Sequence, residues 1–159
     1  MKGSHRIATF PVAENLSAET DVTTETSSEI IARSADGKML IYSDSPLGGV
    51  GFVDISDAKA PKAGGMLKLE GEPTSVGVAG QKAIAAVNTS ESFTSPSGNL
   101  VVIDLTTKTA QKSCDLGGQP DSVAISNDGR FLAVAIENER DEDLNDGAIP
   151  QMPAGDLKV

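Results

Sequence analysis

The chain repeats itself, and the repeat is what limits its folding most. "SEIIARSADGKMLIYSD" from Ser28 and "DSVAISNDGRFLAVAIEN" from Asp121 share one plan: apolar strand, Asp-Gly-basic turn, apolar strand. "TSVGVAGQKAIAAVN" from Thr74 follows the same plan with a shortened turn, and Glu29, Thr74 and Asp121 stand 45 and 47 residues apart. The second half of each unit also recurs, as "GGVGFVDIS" from Gly48, "SGNLVVIDLT" from Ser97 and the start of a third copy in "AGDLKV". The linkers "LEGEPTS" and "LGGQPDS" carry Gly and Pro at matching places. Several independent matches at one period mark a repeat architecture.

Each unit reads as four short strands rich in Val, Ile, Leu and Ala, bounded by turn residues. A period of about 45 residues with four strands per unit is that of a β-propeller blade. Helical repeats of similar length would need apolar spacing of about 3.6, which is missing; a β-sandwich is the alternative within the all-β class. The expected fold is all-β, with β-propeller blades as four-stranded antiparallel repeats. Closure takes at least about four blades, and the sequence supplies two complete units and most of a third, so the ring is incomplete. Residues 1–27 are expected to form an outer strand and a loop, 28–73 and 74–120 two blades, and 121–159 an incomplete blade. The remaining blades then come from the same chain or from another subunit.

Composition removes several classes of function. The net charge of -10 argues against nucleic acid, because phosphate binding requires clustered Lys and Arg. Such a surface suits solubility, divalent cations or cationic ligands. One cysteine, Cys114, and one histidine, His5, leave no Cys/His zinc cluster, and a Ser-His-Asp triad would have to recruit His5 from the chain's start. No apolar run approaches the roughly 18 residues a membrane-spanning helix needs. "MKGSHRIATF" has no apolar stretch long enough for a secretory signal. Either the protein is cytoplasmic or the sequence begins after a removed signal, with "MKGSH" compatible with a partly vector-derived start.

Antiparallel strands send alternate connections to opposite faces of the disc. The "ADGK" and "NDGR" turns fall on one face, where Asp36, Gly37, Asp128 and Gly129 serve the backbone. On the other face lie "GEPTS", "GQPDS" and three loops that lengthen from blade to blade, "SDSPLGG", "NTSESFTSPSG" and "ENERDEDLNDGAIPQMPAG". Loop growth on one face is how repeat proteins build a binding surface. Phe93 in the second loop is a candidate anchor that buries the loop against the disc. Glu29, Asp44, Asn88, Glu91, Asp121 and Arg140 are the ligand candidates of this face.

The third loop is the most charged: six of the ten residues from Glu137 to Asp146 are acidic. Calcium takes six to eight oxygens from carboxylates, amides and carbonyls, and Glu137, Glu139, Asp141, Asp143, Asn145 and Asp146 offer such a set. The spacing Asp141, Asp143, Asn145 imitates an EF-hand start, but Asp146 replaces its glycine and Met152 its last glutamate. The alternative is a solvated acidic loop, although Gly147, Pro150, Pro153 and Gly155 suggest a shaped one.

"EIIARSADGKMLIYSDS", "VNTSESFTSPSGNLVVIDL", "GGQPDSVAIS" and above all "AIENERDEDLNDGAIPQMPAG" resemble the N-terminal half of bacterial secreted propeller proteins. These carry the descriptions esterase-like activity of phytase, alkaline-phosphatase-like, or choice-of-anchor. The resemblance runs from about Ile7 to Val159 and implies a longer chain exported to the periplasm or exterior. It also implies calcium-dependent phosphoester hydrolysis as in propeller phytases, in which acidic residues hold calcium ions that position phosphate and water. Such a site also wants Lys or Arg on the acidic face, where Arg140 is the obvious one. Two functions stay open: a metal-dependent phosphoesterase, expected to be inactive as three incomplete blades, or a noncatalytic propeller that presents loops to a protein or glycan, with calcium stiffening the longest.

Overall fold

The two Asp-Gly turns close in the same way. Ser34 Oγ donates to Asp36 Oδ1 at 2.7 Å, Asp36 accepts the Lys38 N–H at 3.1 Å, and Gly37 takes a φ of +69°. Ser126, Asp128, Arg130 and Gly129 repeat this with 2.7 Å, 3.1 Å and +68°. Only glycine adopts that backbone region without cost, so the turns set where each pair of strands begins.

The structure, a computed structural model, describes residues 5–21 and 23–159. The first sheet orders β1 (Ile31–Arg33), β2 (Met39–Asp44), β3 (Gly49–Asp54) and β4 (Lys62–Lys68). The second orders β5 (Glu72–Ala79), β6 (Lys82–Asn88), β7 (Gly98–Asp104) and β8 (Thr109–Asp115). The third has β9 (Pro120–Ile125), β10 (Leu132–Ile136) and β11 (Asp156–Lys158), with β10 in the middle. All pairings are antiparallel. Helix is confined, among the described residues, to the 3-10 turns Val12–Asn15 and Leu144–Gly147. The architecture is all-β, a run of propeller-like blades that does not close.

The blades stack face to face. β5 packs on β1 and β2, and β9 packs on β5 and β6. The larger core lies between the first two sheets, where Ile41, Val50 and Phe52 meet Val76, Ala83, Ala85, Val87 and Ile103, all buried. A smaller core joins the second and third sheets through Leu100, Leu116, Val123, Val134 and Ile136. Hydroxyl groups stitch the seams: Ser45 Oγ donates to the Pro73 carbonyl at 2.9 Å, and Thr74 Oγ1 to the Pro120 carbonyl at 3.0 Å. Glycines permit the close approach, since a Cβ at Gly98 would lie 2.2 Å from Pro120 Cδ.

The opening segment departs from expectation. Residues 5–11 form no strand, and residues 1–4 and 22 of the expected opening strand and loop lie outside the described residues. An outer strand needs a neighbour to hydrogen-bond, and none of the three sheets pairs with this segment. The 3-10 turn Val12–Asn15 lies instead as a strap against β3 and β4, on the Tyr42 side of the first sheet and away from the core shared with the second. Asn15 anchors it: Nδ2 donates to Tyr42 OH at 3.0 Å and to the Phe52 carbonyl at 2.9 Å, while Oδ1 accepts from Gly64 and Gly65 N–H at 3.0 and 3.1 Å. The Tyr42 ring in turn lies over Gly51, where a Cβ would meet ring carbon at 2.1 Å.

Candidate functional site

The ends of β2, β6 and β10 carry the three growing loops on the same face as the linkers Leu69–Gly71 and Leu116–Gln119. The first loop is a tight turn, residues 45–48. Asp44, expected to face a ligand, is fully buried. Its carboxylate accepts from Thr26 Oγ1, from Ser27 N–H at 3.1 Å and from Leu47 N–H at 3.1 Å. Asp44 therefore fastens the strap to the turn and is closed to any ligand. Glu29 is exposed, and its carboxylate, 2.5 Å from Ser45 Oγ, shares that hydroxyl's single proton with the Pro73 carbonyl.

The second loop closes on itself. Asn88 Oδ1 accepts the Ser90 N–H at 3.0 Å, and Ser90 Oγ accepts the Ser97 N–H at 3.0 Å. Asn88 also borders a polar hollow of about 650 Å³ with Glu70, Glu72, Thr89, Ser90 and Asn99. Glu91 is exposed. Phe93 does not bury the loop: it is 51% exposed, because local hydroxyl and amide bonds already hold the loop in shape.

Amides tie the third loop together. Gln119 Nε2 donates to Glu139 Oε2 at 2.7 Å and its Oε1 accepts the Glu139 N–H at 3.2 Å. Gln151 works the same way across the loop, accepting the Asp141 N–H and donating to the Asp141 carbonyl, both at 2.8 Å. Asn138, at a φ of +48°, accepts the Gln119 N–H at 2.9 Å and donates to the Ala154 carbonyl at 3.0 Å. Asn145, Asp146 and Gly147 run consecutively at positive φ, 52°, 54° and 69°. Arg140 reaches the Gly147 carbonyl at 3.1 Å and Glu142 at 3.2 Å, so the loop's one cation closes the loop. The composition of this stretch gives no hint of Gln119 and Gln151. The signal for Gln119 lay in the repeat, where it replaces Glu72.

The six residues expected to hold calcium are not drawn to one point. Among the described residues no three carboxylate, imidazole or thiol groups gather as a metal would require. Asp141 Oδ1 instead accepts the Asp143 N–H at 2.9 Å, and the left-handed run at 145–147 turns Asn145 and Asp146 along their own path. Partial desolvation first, then the negative charges of Asp121 and Glu139, raise the titration of the exposed Glu137 above the ordinary carboxylate range. Glu137, Glu139, Asp141, Glu142 and Asp143 line, with Phe93 and Arg140, a hollow of about 550 Å³.

The sequence profile described as Choice-of-anchor I domain matches residues 29–157. No protein of curated function matches the chain. Among solved structures, the chain is similar to Kuenenia stuttgartiensis hydrazine synthase, with 23% identity and a TM-score of 0.58 over 69% of this chain and 30% of that one. It is also similar to a luciferin-regenerating enzyme, with 17% identity and a TM-score of 0.55 over 80% of this chain and 42% of that one. At such identities the likeness is one of fold. The chain spans less than half the length of either structure.

Proposed function

The chain belongs to the choice-of-anchor I domain family, a description that points to secreted or cell-surface proteins, and from that premise we propose that it is the loop-bearing part of a longer propeller whose acidic face binds a cationic partner, a lysine- or arginine-rich protein segment. One observation carries this reading: the hollow of about 550 Å³ sets a half-exposed aromatic ring, Phe93, among five carboxylates. A ring face and carboxylates both attract an ammonium or guanidinium group. The one basic residue of the hollow, Arg140, is already turned to the loop's own Glu142 and Gly147. The net charge of -10 adds long-range attraction for a basic partner.

The test is fluorescence anisotropy with a labelled oligolysine peptide. Phe93→Ala is expected to weaken binding about two- to fivefold, the loss of an exposed cation–π contact of ~0.5–1 kcal/mol. Asp141→Asn with Asp143→Asn weakens it further, whereas Glu70→Gln with Glu72→Gln on the neighbouring hollow does not. Equal losses from both acidic pairs, with Phe93→Ala silent, would reduce the attraction to bulk charge.

The hydrolase reading rests on resemblance and has one feature on its side, the raised titration of Glu137, to which the negative charges of Asp121 and Glu139 contribute after desolvation and which a cation would relieve. Against it stand the missing cluster of three carboxylates among the described residues and the commitment of Arg140, so no hydrolytic step is derived from these residues. Turnover of p-nitrophenyl phosphate by the complete protein, abolished by chelator and by Asp141→Asn, would restore it.

A further inference from the structure

The tip of the third loop holds apolar side chains out to solvent. Leu144 is exposed, and Ile149 and Met152 are 75% and 74% exposed. One exposed hydrophobic residue is ordinary, but three on a single small turn form a patch of the kind that marks an interaction surface. Gln151 draws them to one place. Its Nε2 donates to the Asp141 carbonyl at 2.8 Å and to the Ala148 carbonyl at 3.3 Å, and the Leu144 carbonyl lies 3.5 Å from the same nitrogen. Leu144 springs from this hub, Ile149 directly follows one of its partners, and Met152 directly follows Gln151 itself.

The same hub joins the tip to the acidic hollow. Asp141, Glu142 and Asp143 line the hollow and run straight into Leu144. Across the turn, the Asp141 N–H donates to Gln151 Oε1 at 2.8 Å, Arg140 donates to the Gly147 carbonyl at 3.1 Å, and a Cβ at Gly147 would stand 3.2 Å from the Glu142 carbonyl. The loop therefore presents two surfaces side by side, an apolar tip and a carboxylate-lined hollow.

Charge decides what can cover both. An anionic bilayer surface attracts basic segments and repels carboxylates, so the hollow keeps the tip off it. A second copy of the chain brings its own net charge of -10 and the same acidic loop. A wholly apolar partner would strip water from the carboxylates without pairing them, and a wholly basic one would leave the tip wet. The occupant that satisfies both surfaces carries apolar and basic side chains together.

We propose that the third loop docks an amphipathic basic segment of a partner protein, with its large apolar side chains on Leu144, Ile149 and Met152 and its lysines or arginines in the hollow. The charged half rests on the reading of the hollow given above, and the apolar half rests on the tip alone. An oligolysine meets only one of the two surfaces. Adding apolar residues at constant charge should tighten binding about tenfold through the area buried on the tip.

Fluorescence anisotropy with two labelled peptides of equal length and charge tests this, one alternating Lys and Ser and the other Lys and Leu. The Lys-Leu peptide is expected to bind the chain about tenfold more tightly. Ile149→Gln with Met152→Gln should remove that advantage and leave the affinity for the Lys-Ser peptide unchanged. Both positions are exposed, so an unchanged melting temperature shows that the fold is kept. Asp141→Asn with Asp143→Asn should weaken both peptides. Equal affinities for the two peptides, or an advantage that survives the double Gln change, would overturn the dock on the tip while leaving the reading of the hollow in place. Failure of both peptides to bind would overturn that reading and this inference with it. Lys-Leu binding indifferent to salt and to the Asn changes would overturn the charged half. The chain should also sediment as a monomer and stay in solution beside phosphatidylglycerol vesicles. A dimer, or vesicle binding, that is lost with the double Gln change would overturn the proposal by putting a second copy or a membrane on the tip.

Discussion

Replacing Asn15 by alanine removes the clamp that holds the strap to the first blade. Four hydrogen bonds go at once: two donated by Nδ2, to Tyr42 OH and the Phe52 carbonyl, and two accepted by Oδ1, from Gly64 and Gly65. Tyr42 and Phe52 are each 1% exposed and Asn15 itself is 6% exposed, so their groups stay dry and unpaired in the variant. Gly64 and Gly65 are half-buried, and water takes over part of their loss. Two buried orphans at about 1–3 kcal/mol each, less relaxation, give an expected loss of about 3 kcal/mol. For a domain of this size each kcal/mol moves the midpoint by roughly 2–4 °C, so Asn15→Ala should melt about 6–12 °C lower. Urea unfolding followed by circular dichroism is the assay, with an unchanged slope to show that the unfolded state is the same. Glu14→Ala, next door and exposed, is the control and should stay within ~0.5 kcal/mol of the parent. If Asn15→Ala also stays within that margin, the strap contributes nothing to the blade and the reasoning is refuted.

Other outcomes follow from the same contacts. Gly98→Ala puts a Cβ 2.2 Å from Pro120 Cδ and 2.7 Å from the Gly118 carbonyl, so the second seam must open at a cost of about 1–3 kcal/mol, seen as faster amide exchange in β9 and β10. The chain should melt at the same temperature, within about 1 °C, in chelator and in excess calcium, since a bound ion at a hundredfold excess would add ~2.7 kcal/mol; a clear upward shift would make calcium the organiser of the third loop. Asp104 is held at a pKa of about 2, first by the Lys82 side chain and then by the Thr107 and Thr106 N–H groups. Its folded value lies below the unfolded one, so its contribution is complete above about pH 4 and fades as the pH falls towards about 2. Lys82→Met should flatten the acid limb of the stability curve over that window. Glu137 runs the opposite way: its raised pKa means that the folded chain loses stability as the pH rises through it. Glu137→Gln should therefore raise the melting temperature at pH 7 and bring less in acid.

The blades were legible because a strand, a turn and a seam each leave a local trace. The Asp-Gly pairs at 36–37 and 128–129 announce their turns, and the short apolar runs "FLAVAI" and "LVVIDL" announce the strands. The strap left no such trace. Asn15 is one polar residue in an irregular segment, and its partners lie 27 to 50 positions away. Asp44 looked like a loop acid for the same reason, since its burial depends on Thr26 and Ser27 folding back over it. In the acidic loop, composition gave the charge but not its direction. Whether six acidic residues converge or splay is decided by left-handed backbone at Asn138 and at 145–147, and by two glutamines, Gln119 and Gln151, that lie outside the acidic run.

The strap also gives the row of blades a direction in time. The turn Val12–Asn15 lies upstream of the strands it covers, so the first blade finds this cover among residues already made as its last strand leaves the ribosome. The later seams in this chain wait for downstream sequence to arrive, at a synthesis rate of about 5–20 residues per second. Within these three blades assembly is therefore vectorial, the first seam being covered before the second. Holdase chaperones would meet these blades at the newest seam rather than at one already covered.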